Sequence, residues 1–274
     1  MTALAGSTRR PVSTGMRVLL GIAYFVPMLW IVLTSFTPRN DVLGSSLLFT
    51  PTLDAYGAVI TPALFTALQQ SVVIATSSTV IVVLIAVPAA YGLARVGGWV
   101  PTVVLSGLII LQMVPQTATV IPLFQVFGGL RILDTNVAVI LADAALMTPF
   151  AIILMRPFFR AVPLALEEAG AVDGASGFRV FRSIVLPVVR NGVATTATLV
   201  FLIVWGEFLY AVNFFLTPAN YPLSALLAQQ VSSYGVNWPG LMALGVITSV
   251  PIMVLFFFTY RLLKEGLTVG AVKS

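Results

Sequence analysis

The sequence predicts an all-α polytopic membrane protein with six transmembrane helices, on three observations. Of 274 residues, 59% are hydrophobic and 8% charged, whereas a soluble domain averages ~45–50% and ~25%. The apolar residues fall in continuous runs that match a bilayer core of ~30 Å, which takes roughly 20 residues of helix. Those runs show no two-residue alternation, which excludes a β-barrel. The chain contains neither Cys nor His. Disulfides, thiolate and imidazole metal sites, Cys nucleophiles and His-based triads are thereby excluded. Transport, scaffolding or carboxylate chemistry inside a membrane remain.

The elements follow in order. Residues 1–17 form a cytoplasmic N-terminus carrying Arg9, Arg10 and Arg17. Residues 18–36 make the first span, too long in its apolar part for a signal peptide and lacking a cleavage site, hence an uncleaved anchor. Residues 37–67 are an extracytoplasmic loop. A core over 68–260 holds five further spans: 68–94, 100–127, 136–159 with Asp143 inside it, 193–216 with Glu207 inside it, and 241–260. Residues 261–274 form a cytoplasmic tail. With both ends inside, twelve of the fourteen cations are cytoplasmic and only Arg39 and Arg131 lie outside, as the positive-inside rule requires.

The longest polar stretch is the cytoplasmic loop 160–190, far longer than a connector needs. It reads as two short helices around a turn. Pro163 suits a first helical turn, and Glu167 and Glu168 stand near the start of a strong helix-forming run. Asp173-Gly174 signals a turn. Ser176 suits the N-cap of a second helix, whose Phe178, Phe181, Ile184 and Val185 share one face. Pro187 is expected to stop that helix before the fifth span. Physics alone leaves two readings: an amphipathic pair lying on the membrane surface, or a helix whose apolar face enters the groove of a soluble partner.

Glu168-Ala169, then Gly174, then Ile184-x-Leu186-Pro187 resembles the E-A-A-x3-G-x9-I-x-L-P motif of ATP-binding-cassette (ABC) importer permeases. Gly170 departs from its second Ala, at up to ~1 kcal/mol of helix propensity, which points to close packing against a partner. Asn191 departs from a proline common in the carbohydrate branch. Met113–Phe124 is similar to the family's third span. Trp205–Ala211 resembles its W-N-x-F-x-x-A segment, with Gly206 in place of Asn. Tyr260–Ser274 is similar to the tail of subunits like the second maltose permease.

The resemblance implies a type I importer (MetI-like) permease fold and a loop 160–190 that couples to separate ATPases. The coupling residues it implies are Glu168, Ala169, Gly170, Asp173, Gly174, Phe178, Phe181, Ile184, Leu186 and Pro187. It also implies a second homologous permease, two ATPase subunits and an extracytoplasmic solute-binding protein, with ATP and Mg held by the ATPases and no cofactor or metal on this chain. The outer loop 217–240 is expected to meet the binding protein through Gln229, Tyr234 and Trp238. The chain has no P-loop: Gly266, Gly270 and Lys273-Ser274 lack the Gly before Lys and the helix after it. It is therefore expected to be no enzyme, and its motion must come from outside.

Acids inside spans face a cavity or a partner, because an ionised carboxylate at mid-bilayer costs at least ~2.5–3.5 kcal/mol. The substrate-path candidates are Gln112, Gln116, Asp143, Glu207 and Asn213, with Trp205 or Tyr210 stacking on a sugar. Asp143 and Glu207 can equally hold helices together. Pro115 and Pro122 are the gate candidates, since proline frees carbonyls within a span. The leading function is a permease subunit for import of a sugar or sugar derivative in a bacterial cell membrane. Glycerophosphodiesters or amino sugars are alternative cargoes. An ion-coupled secondary transporter using Asp143 and Glu207 is the alternative of another class.

Overall fold

The computed structural model describes residues 11–38, 50–232 and 235–271. Arg9, Arg10, Arg39, Tyr234 and Lys273 lie outside the described residues. The chain divides into two units, 62–228 with 250–274 and 1–61 with 229–249.

The larger unit is built on three long helices. These are α3 (Pro62–Arg95), α6 (Asn136–Arg160) and α9 (Leu186–Trp205). Helix α3 buries Ala67, Ser71, Ile74, Ala75, Ser78, Val82, Ala86 and Ala90, and α6 buries Ala138, Ala142 and Ala151. Small residues at three- and four-residue spacing let backbones approach, which is how helices associate where lipid removes the hydrophobic drive. Gly192 of α9 lets α9 lie close on α6: a Cβ there would stand 2.5 Å from the Phe158 ring.

Three expectations are corrected in this unit. The third span is not one helix. Helix α4 (Val100–Gln112) and helix α5 (Gln116–Gly129) meet at 88°. Pro115 sits at the break in extended backbone (φ −61°, ψ 133°), where it has no N–H to continue α4. Pro122 lies inside α5 without breaking it, so of the two gate prolines only Pro115 marks a joint. The fifth span is also divided. Helix α9 ends at Gly206 and the chain resumes as the short α10 (Leu209–Phe214).

Pro187 does not stop a helix. Helix α7 (Leu164–Val172) is followed by α8 (Gly177–Val180), a π-helical turn at Phe181–Val185 and then α9 without a gap. Within that turn Leu186 N–H bonds the Phe181 carbonyl, five residues back. The wider turn accommodates the proline ring that a regular helix would set against the preceding turn.

A 3₁₀ turn (Pro218–Asn220) and α11 (Leu223–Ala228) complete the segment after α10. Leu223 N–H donates to Ser71 Oγ at 2.9 Å, fixing this segment to α3.

In the smaller unit, α1 (Pro11–Ser35) and α2 (Asp54–Val59) are joined by Ser35 Oγ and Tyr56 OH at 2.8 Å. Residues 229–249 add a small feature that the sequence did not predict. They include a two-stranded antiparallel ladder, β1 (Val231–Ser232) with β2 (Gly235–Val236), and the first turns of α12 (Trp238–Ala271). Helix α12 runs on through residues expected to form a tail.

Five described helices are long and apolar enough to cross a membrane, and six if α4 and α5 are one broken span.

Candidate functional site

Loop 160–190 forms the expected turn between two helical arms, but the second arm is not a separate short helix and runs on into α9. Gly174 adopts φ +81°, a conformation that favours glycine, and its N–H returns to the Ala171 carbonyl at 3.0 Å. Ser176 Oγ accepts the Arg179 N–H at 3.4 Å, so the predicted cap forms. Gly170 is explained inside the chain rather than by a partner. A Cβ there would lie 2.5 Å from Ile184 Cδ1 and 3.3 Å from Val180 Cγ2, so the two arms touch at this residue.

The apolar face expected of the second arm is split. Val180 and Val185 are buried, and Phe181 packs on Tyr91 at a tilt of 41°, with ring centroids 4.9 Å apart. Leu186 lies in the first turn of α9. Phe178 alone stays outside, 71% exposed. Glu168, Ala169 and Asp173 are exposed with Val172 around the turn. The loop thus exposes Glu168, Val172, Asp173 and the Phe178 ring around its turn, while Val180 and Val185 pack beneath it.

The support of this turn rests on residues outside the expected coupling set. Glu167 faces inward. Its Oε1 accepts Arg95 Nε–H at 2.7 Å and its Oε2 accepts the Tyr91 hydroxyl at 2.7 Å. A second guanidinium nitrogen of Arg95 pairs with the same carboxylate. Arg95 also donates to the carbonyls of Phe159 (3.0 Å), in the last turn of α6, and Val162 (3.3 Å), just beyond it. One guanidinium therefore ties together the end of α3, the end of α6 and the first turn of α7. Two signals could have found it: the Glu167-Glu168 doublet, and Arg95 as the last residue of a long apolar run.

The second site is a cavity of about 380 Å³ beside the break in the fifth span. Its polar lining is Gln116, Asp143 and Glu207, among Leu146, Met147, Val204, Gly206 and Phe208. Glu207 is engaged by three donors. Its carboxylate accepts the N–H groups of Tyr210 (2.7 Å) and Ala211 (3.2 Å) and the Gln116 side-chain amide (2.9 Å). It therefore satisfies the first turn of α10, whose N–H groups have no helical partner, and links it to α5. Asp143 differs: it is 1% exposed and its Oδ2 has no hydrogen-bond partner among the described residues.

The other path candidates are not brought to this cavity as open surfaces. Gln112 donates to the Leu146 carbonyl at 2.7 Å, bracing α4 on α6. Trp205 is 3% exposed and stacked on Phe201, and Tyr210 is 1% exposed and stacked on Phe214. Their ring faces are already covered, which removes both as stacking platforms for a sugar in this state. Asn213 is exposed and bonds the Leu209 carbonyl. Gln229 and Trp238 are exposed in the smaller unit, where Asn237 donates to Gln230. Tyr234 lies outside the described residues.

A link outside the spans was also not expected. Asp134 accepts the N–H groups of Leu216 and Thr217 and the Thr217 hydroxyl at 2.6 Å. These bonds, the hydroxyl first, hold its carboxyl below the usual carboxylate range.

Residues 82–269 match the family model described as the inner membrane component of binding-protein-dependent transport systems. The chain belongs to this family. The permease is 34% identical to a probable ABC transporter permease protein of Sinorhizobium fredii, over 97% of each chain. It is 32% identical to a trehalose transport system permease protein of Mycobacterium tuberculosis, over 91% of this chain and 92% of the relative. Among solved structures, a bacterial ABC transporter involved in the import of the acidic polysaccharide alginate matches with a TM-score of 0.76 at 20% identity. That match covers 95% of the permease and 99% of the other chain, and it establishes the importer permease fold.

Proposed function

We propose that the permease carries a sugar or sugar derivative across a bacterial inner membrane, with both termini in the cytoplasm. It is driven through loop 160–190 by two separate ATPases, which hold the ATP and Mg. A second, homologous permease completes the pathway, and an extracytoplasmic binding protein delivers the solute to the outer segments that carry Gln229, Tyr234 and Trp238. The observation that carries this reading is the exposed turn of Glu168, Val172, Asp173 and Phe178, standing on an Arg95–Glu167 anchor. A rigid, exposed rim fixed to three helices transmits a push, whereas a loosely held surface helix would absorb it. The solute path runs by Gln116, Asp143 and Glu207.

The chain contains no Cys, so Val172→Cys introduces a single thiol at the turn. In membranes holding the ATPases of the same gene cluster, a thiol-to-amine reagent is expected to link this position to an ATPase subunit. Glu168→Lys is expected to abolish solute-stimulated ATP hydrolysis while the chain remains inserted. No cross-link together with undiminished uptake by Glu168→Lys would refute the coupling role.

A further inference from the structure

We propose that the Asp143 cavity is a solute subsite that accepts hydrogen-bond donors and excludes anions. The cargo is then a hydroxyl-rich or amino sugar without an acidic group, and not a uronate or a phosphodiester. This rests on the permease function proposed above.

The stock of polar groups in the cavity decides the matter. Its volume, about 380 Å³, lies within the range of small-ligand sites. Three polar side chains line it, and none is Lys or Arg. Gln116, the single side-chain donor, gives its amide to Glu207. Glu207 has both oxygens occupied by donors from its own chain. Asp143 is left with Oδ2 buried and without a donor among the described residues. The rest of the lining is apolar, where an unpartnered carboxylate oxygen is costly and a charge-assisted hydrogen bond is strong.

A hydroxyl or an ammonium group supplies what Asp143 lacks. A carboxylate or phosphate in the same place would stand beside two acids with no cation to offset it. A site built to receive a donor rejects analogues that cannot give one. Asp143 is thereby the specificity-determining residue, and Glu207 shapes the site while capping α10. Gly206 provides the room: a Cβ there meets only the Leu202 and Ile203 carbonyls, both at 3.8 Å.

The test is equilibrium dialysis of the full-length permease, co-produced with the partner permease of its gene cluster in lipid nanodiscs. The probes are radiolabelled D-glucosamine, D-glucose and D-glucuronate, which share a ring and differ in charge. Glucosamine is expected to bind at least ~10-fold more tightly than glucuronate, with glucose between them. Asp143→Asn, which preserves shape, should shrink that spread to about 2–3-fold. Gly206→Leu fills the cavity and should lower retention of all three together, which keeps the test decisive if the Asn variant fails to accumulate. Equal binding of glucuronate and glucosamine, an unchanged spread in Asp143→Asn, undiminished retention in Gly206→Leu, or no retention of any probe would overturn the subsite. If the Val172→Cys cross-link to the ATPase forms while selectivity is absent, the subsite alone fails and the permease function stands.

Discussion

Glu167 and Asp143 are both acids set against membrane helices, and the permease treats them in opposite ways. Glu167 sits at the end of the bundle between the Arg95 guanidinium and the Tyr91 hydroxyl, and that guanidinium lies over the Tyr91 ring. Asp143 sits within α6, deeper and poorer in partners. A buried charge that is fully paired fixes parts to one another. A buried acid left without a donor is costly, and the proposed subsite rests on that contrast.

The largest expected effect tests the paired acid. Arg95→Ala strands Glu167 and two helix-end carbonyls, and it should lower the stability of the detergent-solubilised permease by about 3 kcal/mol. The double variant Arg95→Ala/Glu167→Gln should be milder, because no charge is left alone. Thermal unfolding of the two side by side would break the comparison if the double variant were the worse.

Next comes the contact beneath the loop. Gly170→Ala gains up to ~1 kcal/mol of helix propensity, but overpacking against Ile184 costs about 1–3 kcal/mol. The net outcome is a destabilised, displaced turn. Adding Ile184→Val removes the colliding Cδ1 and should restore ATP hydrolysis coupled to transport. Failure of that rescue would show that Gly170 acts elsewhere.

The two mid-span acids sharpen the contrast directly. Glu207→Gln keeps its shape but weakens two helix-capping bonds, at about 1–2 kcal/mol. Asp143→Asn loses no such bond and should leave the unfolding temperature unchanged or raised. Equal losses in both variants would mean that Asp143 is as much a helix fastener as Glu207.

The smallest effect concerns pH. Asp134 has its carboxyl lowered by the Thr217 hydroxyl and the two backbone N–H groups. Its contribution is therefore present in full above the ordinary carboxylate pKa of ~3.9 and is lost as pH falls through the depressed value. Protection factors of residues 214–217 against hydrogen exchange should fall as pH drops below about 4, and Asp134→Asn should remove that dependence.

Much of the fold is legible in the amino-acid order alone. Apolar runs locate the long helices, and Asp173-Gly174 and Ser176 locate the turn and cap, because such features are encoded within a few neighbouring residues. Pro115 is legible as a joint, but not the 88° between α4 and α5, which depends on what each half packs against. Pro187 misleads, because a proline's local rule is overridden by a π turn that supplies the missing room. Glu167 escapes notice beside Glu168, since adjacent helical residues look alike in sequence while facing opposite surroundings.

Composition and hydropathy by themselves determined a membrane protein of about six spans, and motif spacing determined its family, since both are sums over local choices. Only the tertiary structure decided which acid is paired and which is not. Arg95 and Glu167 stand more than seventy positions apart, as do Gln116 and Glu207, and no local rule specifies a contact at that separation. Whether an acid is anchored or left without a donor arises from which helices meet, and Asp143 Oδ2 finds no partner among the described residues.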